Sequence, residues 1–429
     1  MSELRAKLDG GVERPHWAAQ LEDAKNEFVS SALDALGWQP RIQTYASYGS
    51  TSCVRILARV LYAGPRTSAD HHNQPVHDMR SLTKRGFRNF TSQNDPFHEV
   101  EVVLPTVDGP MTTRVTADRS GLIDALIEAP MEPGLHRAIL RAGPQNEVSA
   151  ELYVFDGAKH GVGVVSDVDD TVMVTLLPRP LIAAWNAFVI DQSSRRIVPG
   201  MPVLYQQLKR HLGAQSMPFV YLSTGAWNVS PFLQRFLFKN GYPRGPLLLT
   251  DWGPTNTGFF RSGQQHKDRS LEELHAMFPE VEWILIGDDG QHDPQIYSTF
   301  VTHHPEAVRA VAIRELTDDQ QDLAHGATRP IRSVGAAIRA VAGVIPRVWR
   351  KASGSDDVQG PSAPTVDDEA ADGRDGLQAA VPPKSESPSP KARPTKSAAA
   401  TGVTWVSGPD GFSLIKALRA CGVMPQPRA

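Results

Sequence analysis

The stretch Gly161-Val162-Gly163-Val164-Val165-Ser166-Asp167-Val168-Asp169-Asp170-Thr171 decides the reading of the fold. It is an apolar run that ends in carboxylates. Short apolar runs without alternation fit strands buried on both faces, as in a parallel sheet. The pattern recurs downstream. Phe219-Val220-Tyr221-Leu222 ends in Ser223-Thr224-Gly225, and Leu247-Leu248-Leu249 ends in Thr250. Trp283-Ile284-Leu285-Ile286 ends in Gly287-Asp288-Asp289, and Val308 to Ile313 is a last candidate strand. Helical patterns separate these runs near 200–213, Pro231 to Asn240, Lys267 to Phe278 and 293–300. Strands alternating with helices predict an α/β domain over 159–328, built on a Rossmann-like parallel sheet.

On the N-terminal side the period changes. Residues 1–16 read as loose. Trp17, Leu21, Ala24, Phe28, Ala32 and Leu36 recur at helical spacing before Gly37. Short Val/Ile/Tyr/Leu runs then alternate with turn clusters such as Asp108-Gly109-Pro110. The spacing predicts an antiparallel β-sandwich, so 17–158 is a helix plus a sandwich domain. On the C-terminal side, Ile331, Val334, Ile338, Val341 and Ile345 face Arg332, Arg339, Arg347 and Arg350 across a basic amphipathic helix, 329–351. Gly343 and Pro346 weaken that helix. Residues 352–401 are poor in large apolar side chains and read as a disordered linker. Residues 402–429 form a short C-terminal motif.

The chain has 429 residues, with 44 Lys+Arg against 47 Asp+Glu. A net charge of −3 argues against a chain-wide basic surface for nucleic acid. Two cysteines, Cys53 and Cys421, do not make a disulfide framework. No apolar run reaches the 18 or so residues of a transmembrane helix, and the N-terminus lacks the apolar core of a signal peptide. These features predict a cytoplasmic protein, with the basic helix as a route to a peripheral membrane position.

In open α/β sheets, ligands bind beyond the carboxyl ends of the strands. Asp167 and Asp169 share a face of an extended segment, and with Asp170 they repel one another unless a cation or proton intervenes. Such oxygen clusters suit Mg2+. Ser223 and the backbone at Thr224 can receive phosphate oxygens. Gly287 to Asp293 supplies further hard oxygen ligands, and Lys267 can neutralise a phosphate or an Asp. Asp70-His71-His72 with His77 and Asp78 matches no common zinc spacing.

The order Asp-x-Asp-x-Thr, strand-Ser, Lys, Gly-Asp-x-x-x-x-Asp resembles the haloacid dehalogenase-like hydrolase superfamily. Within it, Gly161 to Leu176, the stretch YLSTGAWNVSPFLQRFLFKNGYPRGPLLLTDWG from Tyr221 to Gly253, and Lys267 to Arg314 are similar to the actin-patch-associated phosphatidate phosphatase family. Residues 40–157, with Lys84-Arg85-Gly86-Phe87-Arg88, resemble that family's β-rich region more loosely.

The resemblance implies a parallel sheet of haloacid dehalogenase type and a set of roles. Asp167 is the nucleophile and Asp169 the acid and base. Ser223, the backbone at Thr224 and Lys267 bind the phosphoryl group. Thr171 orders the Asp169 carboxyl, and Mg2+ rests on Asp167, the Asp169 carbonyl and Asp288, supported by Asp293 or Asp289. Where many relatives have Ser-Pro-Trp, this chain has Gly225-Ala226-Trp227, and Trp227 is available to line a substrate mouth or to pack the helix against the sheet. The expected substrate is phosphatidate or a related lipid phosphate at a membrane surface. The alternatives are a phosphomonoesterase for a soluble metabolite and a lipid-binding or scaffolding protein without catalysis. The protein partner of the β-rich domain is left open.

Overall fold

The computed structural model describes residues 38–63, 98–143, 146–156, 161–174, 196–211, 218–250, 263–290, 292–317, 320 and 394–426. These residues belong to one compact unit. The helix expected at 17–37, the His/Asp group at 70–78, the Lys84–Arg88 stretch and the basic helix at 329–351 lie outside the described residues.

Eight strands form the N-terminal sheet: β1 (Gln39–Thr44), β2 (Ser47–Ser50), β3 (Cys53–Ala63), β4 (Glu99–Thr106), β5 (Gly109–Thr116), β6 (Leu122–Glu128), β7 (Gly134–Arg141) and β8 (Glu147–Phe155). Alternation drives them. Val54, Ile56, Ala58 and Val60 of β3 point inward with Val100, Val102 and Leu104 of β4 and Ala150, Leu152 and Val154 of β8. One hydrogen-bonded sheet runs β1-β3-β2-β8-β7-β4-β5, with β6 on the other flank of β3. One pair, β2 with β8, is parallel. The sheet is therefore mixed, because the chain leaves and re-enters its middle.

Strand β9 (Gly161–Asp167) opens the second sheet. The short pair β10 (Met173–Val174) and β11 (Arg196–Ile197) follows, then helix α1 (Met201–His211), β12 (Phe219–Ala226), α2 (Ser230–Lys239) and β13 (Leu247–Thr250). Next come α3 (Gly263–Met277), β14 (Val281–Asp288), α4 (Asp293–His303) and β15 (Val308–Arg314). The chain ends with α5 (Lys396–Ala400), β16 (Thr404–Gly408) and α6 (Gly411–Ala420). The sheet order is β13-β12-β9-β14-β15-β16, all parallel. The strand order reverses at β9 and β14, which is where a doubly wound sheet offers its ligand crevice. Gly163 is required by a close approach: a Cβ there would lie 2.6 Å from the ring of Trp283.

The C-terminal segment departs from the sequence reading. Residues 396–400, inside the stretch assigned to a linker, form α5, capped by Thr395, with Ala398 buried. The motif expected at 402–429 joins the second sheet over its described residues. Strand β16 pairs with β15 from Ala310↔Thr404 to Arg314↔Gly408, and α6 buries Leu414, Ile415 and Leu418. The Asp410 side chain accepts the Ser413 amide proton at 2.8 Å and starts α6.

Candidate active site

Register builds the site. In β9 and β12, Asp167 stands beside Leu222, so Ser223 lies one residue further toward the carboxyl ends. In β9 and β14, Ser166 stands beside Ile286, so Asp288 projects from the same rim. Helix α3 brings in Lys267 and the first residue of α4 brings in Asp293.

The Lys267 ammonium donates to Asp167 Oδ1 and to Asp293 Oδ1, each at 2.6 Å. Lys267, Asp167, Asp288 and Asp293 are all buried. Asp293 Oδ2 accepts the Asp288 backbone N–H at 3.3 Å, and Asp288 Oδ1 accepts the Gly290 N–H at 2.7 Å. Asp167 Oδ2 is buried with no hydrogen-bond partner among the described residues. One carboxylate oxygen each of Asp167, Asp288 and Asp293 lies within 4.8 Å of the others.

Three carboxylates share one ammonium, so negative charge is in excess. Burial, and then repulsion from Asp293 and Asp169, pushes the Asp167 carboxyl well above its usual range, although Lys267 pulls the other way. Burial and the charges of Asp293 and Asp167 do the same to Asp288. Burial alone would lower the Lys267 ammonium, but Asp167 and Asp293 outweigh it and the net shift is upward. An all-oxygen donor set, an orphaned buried oxygen and surplus negative charge together fit a hard divalent cation.

Asp169 is oriented from the side. Ser223 Oγ donates to its Oδ2 at 2.9 Å and accepts the Gly225 N–H at 3.0 Å. Thr250 Oγ1 donates to the carbonyl of Thr224 at 2.8 Å, which fixes the loop after β12. Asp170 takes a left-handed backbone conformation, φ 56°, and its carbonyl accepts from the Arg314 guanidinium.

The geometry bears on three expectations. The Thr171 hydroxyl faces Asp288 Oδ2 at 3.4 Å, because the turn after Val168 carries it toward β14. Trp227 lines no mouth. It is 3% exposed and stacks on Tyr45 at 4.6 Å between ring centroids, joining the two sheets. Asp289 turns away: its Oδ1 accepts the Leu316 N–H at 2.7 Å, so Asp293 takes the place beside Lys267.

Two residues were missed. Arg314 ends β15, and the strand-end rule applied to that strand would have found it. Gly287 has no side chain to advertise it, yet a Cβ there would lie 2.5 Å from Asp293 Oδ2. The glycine is what lets Asp293 approach.

The comparisons meet the geometry at this rim. Residues 162–315 match the family described as the catalytic domain of phosphatidate phosphatase APP1. Over those residues the chain is similar to that catalytic domain. The phosphatidate phosphatase APP1 of Saccharomyces cerevisiae is 27% identical over 184 residues, which cover 42% of this chain and 30% of the yeast protein. An uncharacterized protein of Schizosaccharomyces pombe is 23% identical over 171 residues, 40% of this chain and 27% of its own. The chain thus aligns with under a third of either relative. A solved carbohydrate acetylesterase from Xanthomonas citri is similar at a TM-score of 0.23 and 9% identity, covering 67% of this chain and 73% of that one, and nothing follows from a likeness so low. The APP1-like segment contains Asp167, Asp169, Ser223, Lys267, Asp288 and Asp293 and ends one residue past Arg314. Strand β16, which completes its sheet, lies beyond it. Among the described residues no helix is long and apolar enough to cross a membrane.

Proposed function

We propose that this chain is a phosphatidate phosphatase of haloacid dehalogenase type, acting on phosphatidate or a related lipid phosphate from the cytoplasmic side of a membrane. One observation carries the reading: buried Asp167, paired through Oδ1 to Lys267, keeps a partnerless Oδ2 at the rim of the sheet beside Asp288 and Asp293.

Asp167 is the nucleophile. Its Oδ2 forms a bond to phosphorus as the bond to the leaving alkoxide breaks, giving a phosphoaspartate. Asp169, held by Ser223, gives its proton to the alkoxide, and then takes one from the water that hydrolyses the acyl phosphate. Lys267 stays protonated and holds Asp167 in line while offering positive charge to the phosphoryl oxygens. Asp167, Asp288, Asp293 and the Asp169 carbonyl would hold Mg2+, which supplies charge neutralisation between nucleophile and phosphate. Thr224 and Gly225 offer backbone N–H groups to the phosphoryl group.

The test is phosphate release from phosphatidate vesicles, with and without Mg2+, for the wild type and Asp167→Asn. Magnesium-dependent release lost in the variant is expected. Release only from a soluble monoester would move the substrate class. No release from any phosphate ester would leave a lipid-binding or scaffolding protein.

A further inference from the structure

Helices α3 and α4 bring Lys267 and Asp293 together near their starts. Near their ends they bring together a second group of metal-ligating side chains, which the phosphatase reading does not use. His275 lies in the last turn of α3. His304 follows α4, and Glu306 lies in the short turn Pro305–Ala307. One ligand atom from each of the three lies within 4.8 Å of the others. The two imidazole rings are 4.4 Å apart between centroids.

His304 is oriented for coordination. Its Nε2 faces both carboxylate oxygens of Glu272, at 3.1 and 3.2 Å. An ionised carboxylate only accepts, so Nε2 carries the proton. In the neutral ring Nδ1 then keeps its lone pair, and Nδ1 faces Glu306 Oε1 at 3.9 Å. A histidine held from behind by a carboxylate, with its other nitrogen presented, is the usual arrangement around a bound metal. Bonds of about 2.0–2.2 Å put neighbouring ligand atoms roughly 3.4 Å apart in a tetrahedral site. Glu306 closes the difference readily, because its side chain is 69% exposed. Both helices also point their negative dipole ends here, which favours a cation.

We propose that His275, His304 and Glu306, with Glu272 positioning His304, bind one divalent transition-metal ion of the zinc type. Two imidazoles and one carboxylate are borderline donors suited to zinc, in contrast to the all-oxygen set around Asp167. Solvent completes the coordination. The site stands apart from the phosphatase reading and survives its failure.

The test titrates zinc into the full-length chain in excess Mg2+, by calorimetry and by melting temperature, with Co2+ absorbance as a spectroscopic signature of nitrogen ligation. The wild type is expected to take up one zinc at this site, and its melting temperature should rise. His304→Gln and His275→Asn should each weaken binding at least about 100-fold, and Glu272→Gln about 10–100-fold. Glu306→Gln, at an exposed position, keeps the test open if a histidine variant fails to fold. Asp288→Asn and the double variant His71→Ala/His72→Ala should bind as the wild type does. Equal zinc binding by wild type, His304→Gln and Glu306→Gln would overturn the proposal. So would loss of binding in Asp288→Asn, or an absence of saturable binding in the wild type.

Discussion

Helix α3 takes part in two ion clusters of opposite design. Near its start Lys267 meets Asp167 and Asp293, with Asp288 behind them. Further along, Glu273 meets Arg55 of the N-terminal sheet at 2.7 Å and Arg269 at 2.6 Å. Arg55 also makes a bidentate pair with Asp124, at 2.5 and 2.6 Å, and donates to the Tyr48 hydroxyl at 3.0 Å. In this second cluster two cations face two carboxylates, and all three Arg55 nitrogens have partners. Desolvation alone would raise the Asp124 carboxyl, but the Arg55 guanidinium outweighs it and holds the group below its usual range. At Asp167 desolvation wins and the shift is upward. A balanced cluster joins two sheets, whereas one with surplus negative charge suits a cation.

The largest effect should come from breaking the unbalanced cluster. Asp167→Asn should lower phosphate release by roughly 10³-fold or more, as removal of a nucleophile does. Its melting temperature should rise or hold, because one of three mutually repelling carboxylates is neutralised while Lys267 keeps Asp293. A fall in both activity and melting temperature would make Asp167 a structural residue.

Arg55→Ala should show the reverse. Removing Arg55 leaves the buried Glu273 with Arg269 and lets the part-exposed Asp124 turn to water, at a cost of about 3 kcal/mol read by urea unfolding. Turnover per folded molecule should fall far less than in Asp167→Asn. The variant Arg55→Met/Glu273→Leu should recover part of that stability, since apolar replacement of a buried ion pair is often neutral and the part-exposed Asp124 and Arg269 can turn to water.

These two clusters were unequally legible in the sequence. Asp167, Ser223 and Asp288 could be read because apolar runs announce parallel strands, and such strands place their last residues on one rim. The Arg55 cluster could not, since its members come from β3, β6 and α3 and no local pattern links them. The place of 402–420 was hidden in the same way. Thr404 pairs with Ala310 across a long intervening segment, and pairing at that distance leaves only a short apolar strand and a helix in the sequence. The packing partner of Trp227 was hidden because Tyr45 lies far away in sequence, in the turn between β1 and β2.

Gly287→Ala probes how closely the unbalanced cluster is packed. The added methyl would meet Asp293 Oδ2 at 2.5 Å and its Cβ at 2.8 Å, with β14 holding the backbone behind it. Asp293 must shift, and Lys267 with it. A displacement of that size at a catalytic group costs on the order of 100-fold in turnover. The expected result is a large loss of turnover with a raised magnesium requirement, measured by phosphate release against Mg2+ concentration.

The smallest effect should separate two neighbouring aspartates that the sequence left as equals. Asp289 and Asp293 both follow the end of β14, and either could serve a cation by composition. Geometry divides them. Asp293 opens α4 and reaches Lys267 through the space Gly287 leaves, whereas Asp289 Oδ1 takes the Leu316 N–H and Asp289's own N–H bonds the Arg314 carbonyl at 3.0 Å. Asp289 therefore ties the loop after β14 to the end of β15. An asparagine keeps that acceptor oxygen, so Asp289→Asn should change turnover less than about threefold and stability by about 0.5 kcal/mol or less. Asp293→Asn removes a charge that pairs with Lys267 and that the proposed Mg2+ would use, and its turnover should fall far more. If the two variants lose activity equally, the loop's charge rather than the Asp293 position governs the site, and the division between a functional and a structural aspartate on this loop fails.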